Sequence, residues 1–516
     1  MSEIELKFLI DAALARQIWQ RARAAKLVDG KPTSRRLRSI YFDTDEHALR
    51  QAGIALRLRR EGRRWVQTVK AGRKMHSGLS QADEAECPAP AGRLSLDAIP
   101  DEELREAVVD TLDGATLKPV CETAIRRTSC EIRLEDGTRA ELAVDAGEIR
   151  AGGRKAELRE AEIELIEGSP DRLFDIAGLL LPDCGLRFSR LPKSARGYLL
   201  AEQGYVEPPL APRNALDVAL DEAQTAEQAA RDALRECVEQ IAHNAGVVVM
   251  LDDPEGPHQL RIGLRRLRSV FAMFRDILDG PPMRRLNDEA RWLGQEVGRL
   301  RDMDVLAGEI ARREAAAHPE ETTLAALADV LDGEATRLRG AVRGVLMEPR
   351  AQAFILDLAR FTETRGWLVA GDCAQMERLA GPVGEIAGAA LRKRWTKCRK
   401  LAQELGTLSP EARHELRKEL KKLRYAVEFL CPLYPERRVR PFLKRLKSLQ
   451  TVFGELNDAV LVKATFPADQ PLKLSVPVSE RAAGWLIGAS QARAEHGWAS
   501  AQALWSDLEG TRPFWK

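Results

Sequence analysis

The sequence predicts an antiparallel β sheet or barrel over about the first 200 residues, followed by an all-α region. Three observations carry that prediction. Charged and apolar residues alternate with period two in run after run between Glu3 and Ile166, the pattern of half-buried strands. The stretch Glu202–Arg213, with Gly204, Pro208, Pro209 and Pro212, reads as a linker, and beyond it apolar residues recur at helical spacing. The length of 516 residues leaves room for two to four domains, each with its own core.

Composition narrows the class. Charged residues are 31% and hydrophobic residues 44% of the chain, which excludes a disordered protein. The net charge is only +2, so any anion binding rests on local arrays of bases. The eight cysteines form no CxxC pair, which argues against a structural zinc site and a disulfide framework. No apolar run reaches membrane-spanning length and no signal-peptide pattern opens the chain, so a cytoplasmic location with no membrane partner is expected.

The first strand is Glu3–Phe8, where Glu3, Glu5 and Lys7 share one face and Ile4, Leu6 and Phe8 the other. An amphipathic helix follows over Ala12–Ala25, with Leu14, Ile18 and Trp19 on its apolar side. Strands are predicted at Leu37–Phe42, Ile54–Arg60, Trp65–Lys70 and Leu79–Glu86, and a helix near Leu94–Val109. Further strands are predicted near Val120–Leu134, Arg139–Ile149 and Lys155–Ile166, and a helix over Asp171–Leu181.

Charge recurs on one face of these strands. Arg57 and Arg59 oppose Leu56 and Leu58; Lys70 shares a side with Thr68; Glu162 and Glu164 oppose Ile163 and Leu165. Asp145 shares its face with Glu141 and Arg139, and Arg127 is favoured over Arg126 by parity. Carboxylates beside ammonium groups can hold a divalent cation next to an anionic substrate. A sandwich with its polar face in solvent would show the same alternation.

Glu3-x-Glu5-x-Lys7, Tyr41-Phe42-Asp43-Thr44, Leu56-Arg57-Leu58-Arg59, Thr68-Val69-Lys70, Asp145, Glu162-x-Glu164 and Lys193-Ser194-Ala195-Arg196-Gly197-Tyr198 resemble, in this order, the CYTH family of triphosphate tunnel metalloenzymes. The resemblance implies an α+β domain, an eight-stranded antiparallel β tunnel with flanking helices, over residues 1–203. It implies that Glu3, Glu5, Asp145, Glu162 and Glu164 serve Mg²⁺ or Mn²⁺. Lys7, Arg57, Arg59, Lys70, Arg127 and Lys193 would hold the phosphates, with Arg38 a weaker candidate, and Glu5 and Lys7 would stand closest to the chemistry. The sequence departs from the family at Ala82, where an arginine is often found ahead of Glu84 and Glu86.

After a linker over 204–217, residues 218–516 carry an internal repeat. His258-x-x-Arg261-x-x-x-Arg265-Arg266-Leu267-Arg268 recurs 156 positions later as His414-x-x-Arg417-x-x-x-Lys421-Lys422-Leu423-Arg424, and Gly298–Asp302 recurs as Gly454–Asp458. At about 100° per residue, His258, Arg261, Arg265 and Arg268 fall within an arc of roughly 80°, with Leu260, Leu264 and Leu267 behind them. His414, Arg417, Lys421 and Arg424 repeat that arrangement. Two basic stripes facing one groove would make a long anion site; a solvated basic face is the plain alternative. Metal ligation by the histidines and nucleic-acid binding are disfavoured, since ligand partners are missing and aromatic residues are only 5%.

This half resembles the CHAD domain, a helical domain of two four-helix halves, and the order of the two parts resembles the long bacterial inorganic triphosphatases. The resemblance implies hydrolysis of inorganic triphosphate in the tunnel and binding of inorganic polyphosphate by the helices. A polyphosphate-binding scaffold with little catalysis, a thiamine or nucleoside triphosphatase and a class IV-like adenylate cyclase are the alternatives.

Overall fold

The computed structural model describes residues 2–28, 30–466 and 479–515. Eight strands form a closed antiparallel barrel: β1 (Ser2–Leu9), β2 (Thr33–Asp43), β3 (Ala55–Glu61), β4 (Arg64–His76), β5 (Leu79–Pro88), β6 (Lys118–Arg133), β7 (Arg139–Ala151) and β8 (Arg154–Glu167). The order around the wall is β1-β5-β4-β3-β2-β6-β7-β8. Closure depends on β1, which pairs Glu3 with Ala82 and Glu5 with Ser80 of β5 on one side. On its other side it pairs Glu5 with Glu164 and Lys7 with Glu162 of β8. The barrel therefore has no free edge.

Alternation sorts the two faces of the wall. Leu6, Leu56, Val69, Leu142 and Ile163 are each at most 1% exposed and pack outward against helices and loops. Against β3 and β4 lies a cluster of Leu56, Val69, Ile99, Leu104 and Val108. Its helix runs from Glu102 to Leu112, later than the sequence predicts. Pro100 holds Ile99 extended and ends a short 3₁₀ turn at Leu96–Ala98, and Asp101 then caps the helix by accepting from the Leu104 amide.

The helix Lys193–Gln203 is pinned to the barrel by the residues that follow Lys193. Arg196, 1% exposed, donates to Glu160 at 2.9 Å and to the Ser189 hydroxyl at 2.7 Å. Gly197 is required by close approach, since a Cβ there would lie 2.3 Å from Cys121 Sγ. Tyr198 Oη donates to Asp43 at 2.6 Å, and Asp43 also accepts from the amides of Thr44, Leu49 and Arg50. Removing one partner of the buried Arg196–Glu160 ion pair costs about 3–5 kcal/mol.

The chain divides into two compact units. The first is the barrel with its helices up to Ala211, together with Glu348–Thr364. In that added segment the helix Pro349–Glu363 sends Arg360 to Asp175 at 2.7 Å and to Asp171 at 2.8 Å, and Gln352 accepts from the Leu186 amide.

The second unit runs over Pro212–Met347 and from Arg365 onward. Its long helices come in two sets of four: Ala226–Met250, Glu255–Met273, Pro281–Asp304 and Thr322–Met347, then Val383–Leu401, Pro410–Leu430, Glu436–Thr465 and Glu480–Glu509. Corresponding helices of the two sets pack on each other: the first on the first, the second on the second, the fourth on the fourth. This is the pairing a duplicated half produces when its copies meet about a pseudo-twofold.

Candidate active site

The inward faces of the strands line a cavity of about 390 Å³. β1 contributes Glu3, Glu5 and Lys7; β3 contributes Arg57 and Arg59; β4 contributes Thr68 and Lys70; β6 contributes Arg127; β8 contributes Glu162 and Glu164. Lys193 enters from the first turn of its helix. These residues are thus brought to one space.

At its base the charges interlock. Lys7 Nζ contacts Glu5 at 2.8 Å and donates to Glu162. Burial alone would lower the proton affinity of Lys7, but Glu162 and Glu5 hold it above the usual lysine range. Lys193 lies 2.8 Å from both Asp145 and Glu162 and is likewise held well above its ordinary value against the effect of burial, by Asp145, Glu160 and Glu162. Burial would raise Glu162, yet Lys193, Lys7 and Arg127 keep it well below the carboxylate range.

Asp145 differs from the other predicted carboxylates. It is fully buried, does not line the cavity, and gives both oxygens to Arg127 at 2.8 Å. It lies on the inward face of β7, opposite Arg127 on β6 and Glu160 on β8, where it fixes Arg127 and Lys193. Further along, Lys70 pairs with Glu3 and sits 3.2 Å from Glu84, while Arg57 is 3.7 Å from both Glu84 and Glu86 and Arg59 is 3.1 Å from Glu86.

Two carboxylates are poorly compensated. Glu164 has no ion pair among the described residues, and its pKa is pushed up to about 7 by burial and by Glu3, Glu5 and Glu162. Glu5 Oε1 is buried and accepts no hydrogen bond. Asp145, Glu160 and Glu162 each offer a carboxylate oxygen, all within 4.8 Å of one another.

The structure adds residues that the sequence reading missed. Glu160 shares the parity of Glu162 and Glu164, which is the signal that would have found it. Arg73 lines the cavity although strand parity counted from Lys70 points it outward. Arg38, by contrast, faces out and is bonded to Glu122, because Leu37, Ser39 and Tyr41 take the inward positions of β2.

In the helical unit the second helices of the two sets bring their basic stripes together. Lys421 is pulled down to about 6 by burial and by Arg417, Arg265, Arg261 and Arg424. Arg417 falls to about 10, mainly through burial and then through Arg265, and Arg265 falls through burial and Arg261. His258 is lowered by burial and Arg301, and the exposed His414 by burial, Lys418 and Arg417. Arg268 lies toward Asn287 and Arg291, and Arg424 toward Glu428, so these two flank the cluster. Arg266 turns inward over the Phe429 ring at 4.2 Å. In the first copy of the repeated block, Arg261 Nη1 donates to the Gly298 carbonyl and pairs with Asp302, and the missing side chain at Gly298 leaves it room.

Residues 1–198 match the CYTH domain family and residues 232–466 the CHAD domain family. The chain thus carries a CYTH domain followed by a CHAD domain. It is similar to an inorganic triphosphatase of Haemophilus influenzae, 29% identical over 207 residues, which are 40% of this chain and 57% of that protein. The chain thus spans little more than half the length of that relative. An uncharacterized protein of Mycobacterium tuberculosis is 26% identical over 488 residues, 89% of this chain and 87% of that one. The crystal structure of the CHAD domain from the plant Ricinus communis is 27% identical with a TM-score of 0.49, covering 58% of this chain and 98% of that chain.

Proposed function

We propose that the barrel hydrolyses inorganic triphosphate to pyrophosphate and phosphate with a divalent cation, Mg²⁺ or Mn²⁺, and that the basic groove of the helical unit binds inorganic polyphosphate. The observation that carries the first reading is the tunnel's double array: cations that fit phosphate oxygens, interleaved with more buried carboxylates than those cations satisfy.

The donor set fits a hard cation. Glu164 has no ion pair among the described residues and Glu5 Oε1 accepts no hydrogen bond, the two residues are register-paired, and Glu3 lies on the same wall. Glu3, Glu5 and Glu164 would hold the ion, with Glu162 and Glu160 below them. When bound, such an ion screens phosphate charge and lowers the pKa of a bound water.

The chain's own residues do the rest. Arg57, Arg59, Lys70, Arg127 and Lys193 bind and align the phosphate chain by charge-assisted hydrogen bonds. Water adds to the terminal phosphorus, the bond to the bridging oxygen breaks, pyrophosphate leaves with the electron pair, and one proton of the water passes to solvent while the other stays on the phosphate. Lys7, held protonated between Glu5 and Glu162, acts as a fixed positive charge that steadies the phosphoryl oxygens rather than as a base. No disulfide joins cysteines among the described residues, in keeping with work in a reducing cytoplasm. No helix among the described residues is long and apolar enough to cross a membrane.

The deciding experiment compares tripolyphosphate, ATP and thiamine triphosphate with the full chain in Mg²⁺ and Mn²⁺. Tripolyphosphate is expected to be turned over fastest. Much faster turnover of ATP or thiamine triphosphate removes the inorganic substrate, and no turnover of any leaves a binding protein.

A further inference from the structure

We infer that Arg73 is a substrate-positioning cation of the tunnel, re-aimed into the cavity by a β-bulge to hold a phosphate oxygen beside Glu5. The inference rests on the triphosphate reading of the same cavity and goes beyond it, since strand parity assigns Arg73 to the outside.

The geometry begins with the pairing of β4 and β5. Ala71 pairs with Asp83 and Lys74 with Gln81, so Gly72 and Arg73 together oppose the single residue Ala82. Two residues against one is a bulge, and it reverses the in-out order of everything beyond it. Gly72 has φ +61°, a backbone conformation that favours glycine, and a Cβ there would lie 3.3 Å from Asp83 Oδ2. The bulge is therefore built into the sequence at Gly72. Its result is that Arg73 lines the cavity with Lys70, where uninterrupted alternation would have turned it away.

The surroundings fit a ligand contact better than a structural one. Arg73 Nη1 donates to the Ser80 hydroxyl at 3.3 Å and stops 3.9 Å from Glu5 Oε1, too far for a hydrogen bond. That oxygen is the buried one that accepts no hydrogen bond. Ser80 is register-paired with Glu5, so the guanidinium sits against the wall where the carboxylate emerges. A guanidinium carries five donors in a planar fork suited to two phosphate oxygens. Ala82, which has the inward parity of Glu84 and Glu86, opposes the bulge with only a methyl group. The wall is thus left open to a long side chain arriving from β4.

The test uses full-length protein and steady-state kinetics on tripolyphosphate, with calorimetric binding alongside. Arg73→Ala is expected to raise KM and the dissociation constant about 10- to 100-fold, the range lost with a charge-assisted hydrogen bond, with a smaller change in kcat. Arg73→Lys is expected to recover part of the loss. The double variant Arg73→Ala/Ala82→Arg, which supplies a guanidinium from the opposite strand, is expected to return KM to within about threefold of the parent. An unchanged KM in both single variants, with an active parent, overturns the role of Arg73 and leaves the triphosphate reading standing. A parent that neither hydrolyses nor binds tripolyphosphate overturns both. Thermal unfolding of each variant separates misfolding from lost binding, and a loss that follows unfolding and is absent from a well-folded Arg73→Lys counts against the proposal.

Discussion

The two basic regions of this protein use the same residue types in opposite electrostatic settings. In the barrel, Lys7 and Lys193 are buried among carboxylates and their proton affinity rises. In the helical unit, Lys421 is buried among arginines and its affinity falls to about 6. The barrel is nearly self-neutralised, so an anion entering it must come with a cation that takes over the carboxylates. The groove is over-charged, so an anion alone relieves it. The proposed function assigns a metal-anion pair to one region and a polyanion to the other, although both are rows of Lys and Arg.

That contrast can be broken most sharply at Glu5. Glu5→Gln is expected to lower tripolyphosphate turnover by at least about 100-fold while leaving polyphosphate binding unchanged, read by phosphate release and by calorimetry. Equal loss of both would mean that the two regions are not distinct sites. Next in size is metal removal: a chelator should abolish turnover yet leave polyphosphate affinity within about twofold, because the groove's excess charge is positive.

Arg261→Ala combined with Arg417→Ala should weaken polyphosphate binding about 10- to 100-fold and flatten its salt dependence, with tripolyphosphate kinetics unaffected. The smallest expected effect is on pH. Lys421 is mostly neutral above its value of about 6 in the free protein, and a bound polyanion raises that value, so binding takes up a proton. Affinity should therefore strengthen as pH falls from 8 to 6, by about tenfold. His258 and His414 gain charge in the same direction, so Lys421→Gln should reduce the slope rather than erase it. A slope unchanged in Lys421→Gln would remove Lys421 from the groove's proton balance.

Much of this was legible in the sequence, because period-two alternation reports a strand's two faces directly. Glu3, Glu5 and Lys7, or Arg57 and Arg59, can be placed on one face by counting. Closure of the barrel was not legible from counting, since it depends on β1 pairing with both β5 and β8, and only the family resemblance implied it. Counting could not reach Arg73, where one extra residue reverses it, and it put Asp145 on the inward face without showing that Arg127 and Lys193 hold its oxygens. The helix Pro349–Glu363 looks like its neighbours in sequence. What assigns it to the barrel is Arg360 meeting Asp171 and Asp175, a contact across nearly 190 positions.

That helix has a consequence for how the protein is made. The barrel unit acquires its last element only when residue 363 has left the ribosome, after the whole first set of helices has been synthesised. The chain passes between the units three times, near residues 211, 347 and 364. A cut in the proline-rich linker therefore does not release a finished barrel. It leaves the Asp171–Leu180 helix waiting for a partner encoded far downstream, so the order of synthesis ties completion of one unit to the first half of the other.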